Sequence, residues 1–167
     1  FTIVRLQCEL YNEGKDVITY QKEKLEMCFE ELAPMLEEHY EEIASYKDKI
    51  ELAPDWSRYF ELDKSNILQI YTMRNNKTLV GYYICVVLPN LHYSNDLYSV
   101  NDIVLIKPEY RNKKNGLNLF SFVESAMREQ SVSVMSVHMK TFLPFDKLCE
   151  GLGWDYMERL YTKCIKE

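Results

Sequence analysis

The sequence lacks the features that mark fibrous, disordered or membrane-spanning proteins. Its 167 residues include only five glycines and five prolines, which excludes collagen-like and low-complexity classes. It contains no run of about 18 apolar residues, so we expect no membrane span. Its five cysteines are scattered, without a Cys-x-x-Cys pair. This spacing argues against a zinc site and predicts reduced thiols in a cytoplasmic protein.

An excess of basic residues is missing as well. The net charge is −6 at pH 7, and the acidic residues are concentrated between Glu23 and Glu51. A protein that reads nucleic acid normally has a basic face, so we expect no direct binding to DNA or RNA. An acidic rim could attract an amine-bearing substrate. It could equally be a solvated helical surface, because glutamate and lysine are good helix formers.

Both familiar glycine-rich phosphate loops, G-x-x-x-x-G-K-[ST] and G-x-G-x-x-G, are also absent. In their place a strand-like segment, Val100–Ile106, leads through a basic turn, Arg111–Gly116, into a helical pattern that reaches Met127. The segment is largely aliphatic on both faces, which predicts a strand buried within a sheet, and Pro108 ends it. Such a turn directs backbone amides and the positive helix dipole at one spot, so we expect it to bind phosphate.

The remaining patterns predict one mixed α/β domain over residues 1–167. We expect a central twisted mixed sheet of six to seven strands flanked by about four helices. Before Val100–Ile106, apolar periodicity and turn residues predict a strand at Thr2–Leu10, and helix from about Lys22 to Tyr46 that is kinked or divided at Pro34. A short helix that begins at Pro54 or Asp55 follows, and then a hairpin of Ile67–Met73 and Thr78–Leu88. After the helix that follows Val100–Ile106, the sequence predicts a strand at Ser131–His138, a short helix at Leu143–Leu152 and a last strand at Tyr156–Ile165.

The turn and the order of elements resemble the GNAT superfamily of N-acetyltransferases. The usual motif of that family is [QR]-x-x-G-x-[GA]; here Arg111 fills the first position, Gly116 the last, and Lys114 stands where glycine is usual. The approach V-L-I-K-P-E-Y-R and the late passage L-C-E-G-L-G-W are also similar to family patterns. The resemblance implies that acetyl-CoA is the acyl donor. It places the cofactor against Val104, Leu105, Ile106, Arg111, Asn112, Lys113, Lys114, Asn115, Gly116 and Leu117.

Three shorter segments are similar to GNAT proteins found in bacteriophages. They are H-Y-x-E-I at 39–43, N-D-[IV] at 101–103 and H-x-K at 138–140. Lys114 raises one question about the motif, because a non-glycine residue at a positive φ costs roughly 1 kcal/mol. Its ammonium could offset that cost at a phosphate, as could Lys113 and Arg111.

Candidate catalytic residues are Asp102, His138 and Cys149. Asp102 lies in an otherwise apolar strand, where burial would raise its pKa and make it a better general base; it could instead only anchor neighbouring groups. His138 could take the amine proton or orient the substrate. Cys149 matches the family's proton-donating tyrosine, although a free cysteine usually behaves as a small apolar residue.

Candidate substrate-binding residues are His39, Tyr40 and Tyr93. His39 lies on or beside the apolar stripe of the first helix, where a satisfied core histidine is the alternative. Other aromatic residues on that side, Tyr59 and Tyr82 among them, are expected mostly to fill the core.

The sequence thus predicts an N-acetyltransferase that moves an acetyl group from acetyl-CoA to a primary amine of a small molecule or protein. Transfer would proceed by direct attack in a ternary complex. The alternative is a catalytically inactive protein of the same fold that binds a partner or senses CoA. Members of the family often form homodimers, and the sequence neither favours nor excludes one here.

Overall fold

A computed structural model describes residues 16–166, and its centre is a five-stranded mixed sheet. The strands are β1 (Ile18–Glu23), β2 (Leu68–Asn75), β3 (Thr78–Pro89), β4 (Leu97–Ile106) and β5 (Val132–Ser136). They lie in chain order, antiparallel from β1 to β4, with β5 parallel to β4. The strand expected at Thr2–Leu10 lies outside the described residues. The six to seven strands expected for the whole chain therefore compare with five in the described part.

Helices cover both faces of the sheet. They are α1 (Leu25–Ile43), α2 (Trp56–Lys64), α3 (Lys113–Glu129) and α4 (Asp146–Gly151), and a single 3-10 turn at Pro108–Tyr110 follows β4. Helices α1 and α2 pack on one face around Leu32, Tyr82 and Ile84. Helices α3 and α4 pack on the other face around Tyr83 and Phe120. The predicted mixed α/β class and number of helices are confirmed.

A kink or a division was expected at Pro34; helix α1 runs through Pro34 without interruption, so the division is wrong. Proline inside a helix costs about 3 kcal/mol through its lost hydrogen bond and a clash with the preceding turn. The stripe on both sides of it is buried, with Leu32 fully inaccessible and Met35 3% exposed. Burial of such side chains contributes about 1.5–3 kcal/mol each, which outweighs the local defect.

The hairpin is confirmed, with a tighter turn than expected. Asn76 and Lys77 have φ of 46° and 80°, as in the turns that join two-residue hairpins. Arg74, expected in the turn, lies in β2 and is 8% exposed. Its guanidinium is paired with Glu23 and Glu31, which compensates its buried charge.

The last predicted strand, Tyr156–Ile165, is wrong for this structure. Residues 154–166 form neither helix nor strand, and several large side chains of this segment are exposed. Alternation alone does not make a strand, because the backbone amides and carbonyls also need a ladder partner. Tyr46 Oη, in the α1–α2 loop, donates a hydrogen bond to Thr162 O at 3.1 Å, which ties the segment to the α1 side of the molecule.

Candidate functional site

Strands β4 and β5 part halfway along β4. They pair only between Leu97–Val100 and Val132–Ser136. At the next residue the side chain of Asn101 replaces the ladder: Oδ1 accepts from His138 N at 2.6 Å, and Nδ2 donates to His138 O at 3.2 Å. Beyond this clamp the C-terminal half of β4 has no partner on the β5 side among the described residues, and an opening forms between the two strands.

Asp102 lies at an irregularity of β4, directly beside the clamp. Ile84 of β3 pairs with Ile103 and Cys85 pairs with Asn101, so Asp102 has no opposite residue. The predicted burial of Asp102 is wrong, because its side chain is exposed. The bulge turns it out of the sheet, and Oδ2 accepts a hydrogen bond from Tyr59 Oη at 2.8 Å. Burial, followed by the nearby Asp102 carboxylate, raises the pKa of Tyr59, so its hydroxyl stays a donor.

His39 of α1 is buried rather than free in a cleft. It is 3% exposed, and Nδ1 lies 2.8 Å from the hydroxyl of Tyr82. Burial lowers the pKa of His39 to about 4; the carboxylate of Glu42 raises it, and the guanidinium of Arg111 lowers it further. His39 is therefore neutral at pH 7. Burial also raises the pKa of Tyr82, which keeps that hydroxyl protonated.

The basic turn belongs mostly to helix α3. Asn112 is the N-cap, and its Oδ1 accepts from Asn115 N at 2.9 Å. Gly116 N donates to Asn112 O at 3.1 Å. The backbone amides of Lys113 and Lys114 have no acceptor within the helix, because they lie in its first turn. Lys114 lies in the helix and outside the left-handed region, so the expected strain at this position does not arise.

Arg111 is already engaged by another residue. Its Nη1 and Nη2 donate to the two carboxylate oxygens of Glu42 in α1, and its Nε donates to Ile106 O at 2.6 Å. The hydrogen bonds from Arg111 hold the pKa of Glu42 below its usual value. Arg111, which was expected to bind a phosphate, is therefore bound to a carboxylate in this structure.

A cavity of about 250 Å³ lies between α1 and the C-terminal end of β4. Its charged members are Glu38, Glu42 and Lys107, and Lys107 Nζ lies 3.7 Å from Glu38. The cavity lining consists of Glu38, His39, Glu42, Leu105, Lys107 and Pro108. Leu105 is a predicted cofactor contact, but it packs on the α1 face, whereas Val104 and Ile106 pack on the α3 face.

The other predicted residues lie in separate elements. His138 follows β5 and is exposed, and Leu117 is half-buried in α3. Tyr40 of α1 donates a hydrogen bond to Ile50 O in the α1–α2 loop at 2.7 Å. Tyr93, in the loop before β4, is 60% exposed and stacks on Tyr98 of β4. These positions leave the predicted roles of His138, Tyr40 and Tyr93 as predictions.

Cys149 lies in α4 and is 9% exposed. Burial raises the pKa of its thiol, and the nearby Asp146 carboxylate acts in the same direction. The thiol therefore keeps its proton at neutral pH, which suits both a proton donor and a small apolar residue of the core.

Sequence reasoning missed four polar residues of this region: Glu42, Tyr59, Tyr82 and Asn101. Tyr59 and Tyr82 were expected mainly as core aromatics. Glu42 and Asn101 lie inside two of the segments that resemble bacteriophage proteins, and this was the available signal. Across residues 16–166, no group of three or more His, Cys, Asp or Glu could hold a metal ion. No helix in the same span is long and apolar enough to cross a membrane.

No protein-family model and no curated protein sequence matches the chain. Solved structures match it along most of its length. A transcriptional regulator from Bacillus halodurans C-125 has a TM-score of 0.71 at 17% identity, covering 89% of this chain and 100% of its own. A predicted acetyltransferase with acetyl-CoA from Clostridium acetobutylicum has a TM-score of 0.68 at 10% identity, covering 89% and 97%.

Ribosomal-protein-alanine N-acetyltransferase from Brucella melitensis biovar Abortus 2308 has a TM-score of 0.64 at 19% identity, covering 89% of this chain and 99% of its own. Each of these three similarities covers 89% of this chain. The chain has the fold of the GNAT-type acetyltransferases.

Proposed function

We propose that the chain is an acetyl-CoA-dependent N-acetyltransferase that acts on a primary amine by direct attack in a ternary complex. The main support is the opening between β4 and β5 in this fold, with the amide-bearing N-terminus of α3 nearby in sequence and Asp102 at its edge. Solved structures of the same fold carry the names of acetyltransferases, one of them with acetyl-CoA.

The residues around α3 fit the donor's diphosphate. The amides of Lys113 and Lys114 are donors without an intrahelical acceptor, and both lysine side chains are exposed. Anions are stabilised at such a position by the amides and the helix dipole together. Acetyl-CoA would supply the acetyl group as a thioester. Backbone groups of β4 beyond Asn101 would position its arm along the opening.

Asp102 is the proposed acceptor of the amine's proton, directly or through a water molecule. The hydrogen bond from Tyr59 to Oδ2 holds the carboxylate in one orientation, which a general base needs. His138, whose backbone is held by the Asn101 clamp, is the second candidate for this step. The thiol of Cys149 is a candidate proton donor to the departing thiolate, which also leaves adequately without help.

The alternative function is CoA sensing or partner binding without catalysis. The engagement of Arg111 by Glu42 favours it, because an important donor of the motif is occupied. Binding and turnover separate the possibilities: a sensor binds acetyl-CoA without releasing thiol, and a partner-binding protein does neither.

The test begins with calorimetric titration of acetyl-CoA into the wild type, Lys113→Glu and Lys64→Glu. Lys64 is an exposed residue at the end of α2, so it provides the same charge change away from α3. We expect Lys113→Glu to weaken binding about tenfold and Lys64→Glu to leave it within about twofold. Saturation at about 100 times Kd should stabilise the wild type by about 2.7 kcal/mol.

Thiol release is then measured with a panel of small amines, peptides with free N-termini and lysine peptides. We expect Asp102→Asn to lower turnover on the order of 10²-fold and to change the pH–rate profile. Tyr59→Phe should cause a smaller loss, because it removes only the orienting hydrogen bond. Absence of acetyl-CoA binding by the wild type would refute the proposed function.

A further inference from the structure

An ion pair ties helix α1 to the turn before α3. Arg111 and Glu42 meet fork to fork, with Nη2 2.5 Å from Oε2, and both side chains are about 30% exposed. Bidentate pairing of this kind is the strongest arrangement of a guanidinium with a carboxylate. The backbone oxygen of Ile106 holds Nε of the same side chain. The two Nη groups of Arg111 are therefore both engaged by one acidic side chain in this structure.

The position of Arg111 makes this partner exchangeable. Arg111 directly precedes Asn112, the N-cap of α3, and is two residues from the first amide that lacks an intrahelical acceptor. A phosphate bound at these amides would carry oxygens that match the same guanidinium fork as a carboxylate does. Glu42 and a diphosphate would then compete for Arg111.

If Arg111 released Glu42, the cavity would contain a carboxylate without its cation. Glu42 lines it beside His39 and Leu105, and the cation on the other wall, Lys107, is paired with Glu38. Helix α1 itself carries seven glutamates and no lysine or arginine. A partly buried carboxylate without its cation is poorly stabilised, so the cavity would gain affinity for an ammonium group.

We propose that Glu42 binds the ammonium group of the acceptor and that Arg111 masks it until the donor's diphosphate is bound. This inference rests on the proposed function and adds to it an acceptor-binding residue and the ion pair that controls access to it. The coupling is reciprocal: the donor and Glu42 each weaken the hold of the other on Arg111.

The first test measures CoA affinity by calorimetry for the wild type, Glu42→Gln and Glu38→Gln at one ionic strength. Glu42→Gln frees Arg111, so we expect it to bind CoA about five- to tenfold more tightly than the wild type. Glu38→Gln removes the same charge one turn earlier in α1 without freeing Arg111. Its affinity should stay within about twofold of the wild type.

The second test uses whichever amine of the panel the wild type acetylates. We expect Glu42→Gln to raise KM for this amine about tenfold with a smaller change in kcat, as for loss of a ground-state contact, and Glu42→Asp to recover part of the loss. If Glu42→Gln and Glu38→Gln bound CoA equally tightly, only the masking of Glu42 by Arg111 would be overturned. An unchanged KM would overturn its role in acceptor binding. Failure of the wild type to bind CoA would overturn the proposed function as well.

Discussion

Removal of the Asn101 clamp should destabilise the protein by about 2 kcal/mol. Asn101 is 8% exposed and makes two hydrogen bonds to the backbone of His138, at 2.6 and 3.2 Å. Each hydrogen bond contributes about 1 kcal/mol net. Asn101→Ala removes both and leaves a backbone amide and carbonyl without partners at the point where β5 separates from β4. In a domain of this size the melting temperature should fall by about 4–8 °C.

Urea denaturation followed by far-UV circular dichroism measures this loss, with Asn95→Ala as the matched control. Asn95 is exposed in the loop before β4, so its replacement should change the free energy of unfolding by less than about 0.5 kcal/mol. Asn101→Asp keeps the acceptor for His138 N and removes the donor to His138 O, so we expect an intermediate loss near neutral pH. If Asn101→Ala were as stable as Asn95→Ala, the clamp would be an incidental contact and the opening would need another cause.

Three further predictions concern the same region. Burial lowers the pKa of His39 to about 4 from 6.5, so the stability that the neutral imidazole contributes above pH 6.5 is lost as the pH falls toward 4. Between about pH 7.5 and 4.5, urea titrations should show that the wild type loses about 2–3 kcal/mol more than His39→Gln. Equal losses in the two proteins would contradict the lowered pKa. In Gly81→Ala the new Cβ would lie 2.9 Å from Leu105 O, so we expect a loss of about 1–3 kcal/mol in the same assay. In Gly116→Ala the new Cβ would lie 3.4 Å from Leu148 Cδ2, an ordinary contact. We expect the free energy of unfolding to rise by up to about 1 kcal/mol and the CoA affinity, measured by calorimetry, to stay unchanged. A large loss of stability or affinity would show that glycine is required there.

Local patterns were sufficient for most of the fold. The stripe of α1, the N-cap Asp55 of α2 and the junction of β4 with α3 depend on residues close together in sequence, whose preferences act without distant partners. The same reasoning missed β1, because Ile18–Glu23 is a short polar strand that exists through its pairing with β2. It also overcounted at Tyr156–Ile165, where alternation is present without a ladder partner.

The candidate site was only partly predictable, because its polar contacts join distant segments. Asp102 was expected to be buried since its neighbours are apolar, but a bulge set by pairing with β3 turns it outward. Arg111 was expected to meet an anion, and it does so, although the anion in this structure is Glu42, 69 residues earlier in the chain. No periodicity within either segment carries information about such a contact.

The three short segments at 39–43, 101–103 and 138–140 each contribute to a contact between elements that are distant in sequence. Residues 101 and 138, from two of them, are joined by the clamp that opens the sheet. Glu42, from the third, pairs with Arg111, which begins the basic turn before α3. Each segment therefore supplies one side of a contact between separate elements, and none of them forms a site alone. Glu42 and Arg111 are 69 residues apart in the chain, and a double-mutant cycle between them, rather than single replacements, would measure the coupling that the proposed masking of Glu42 requires.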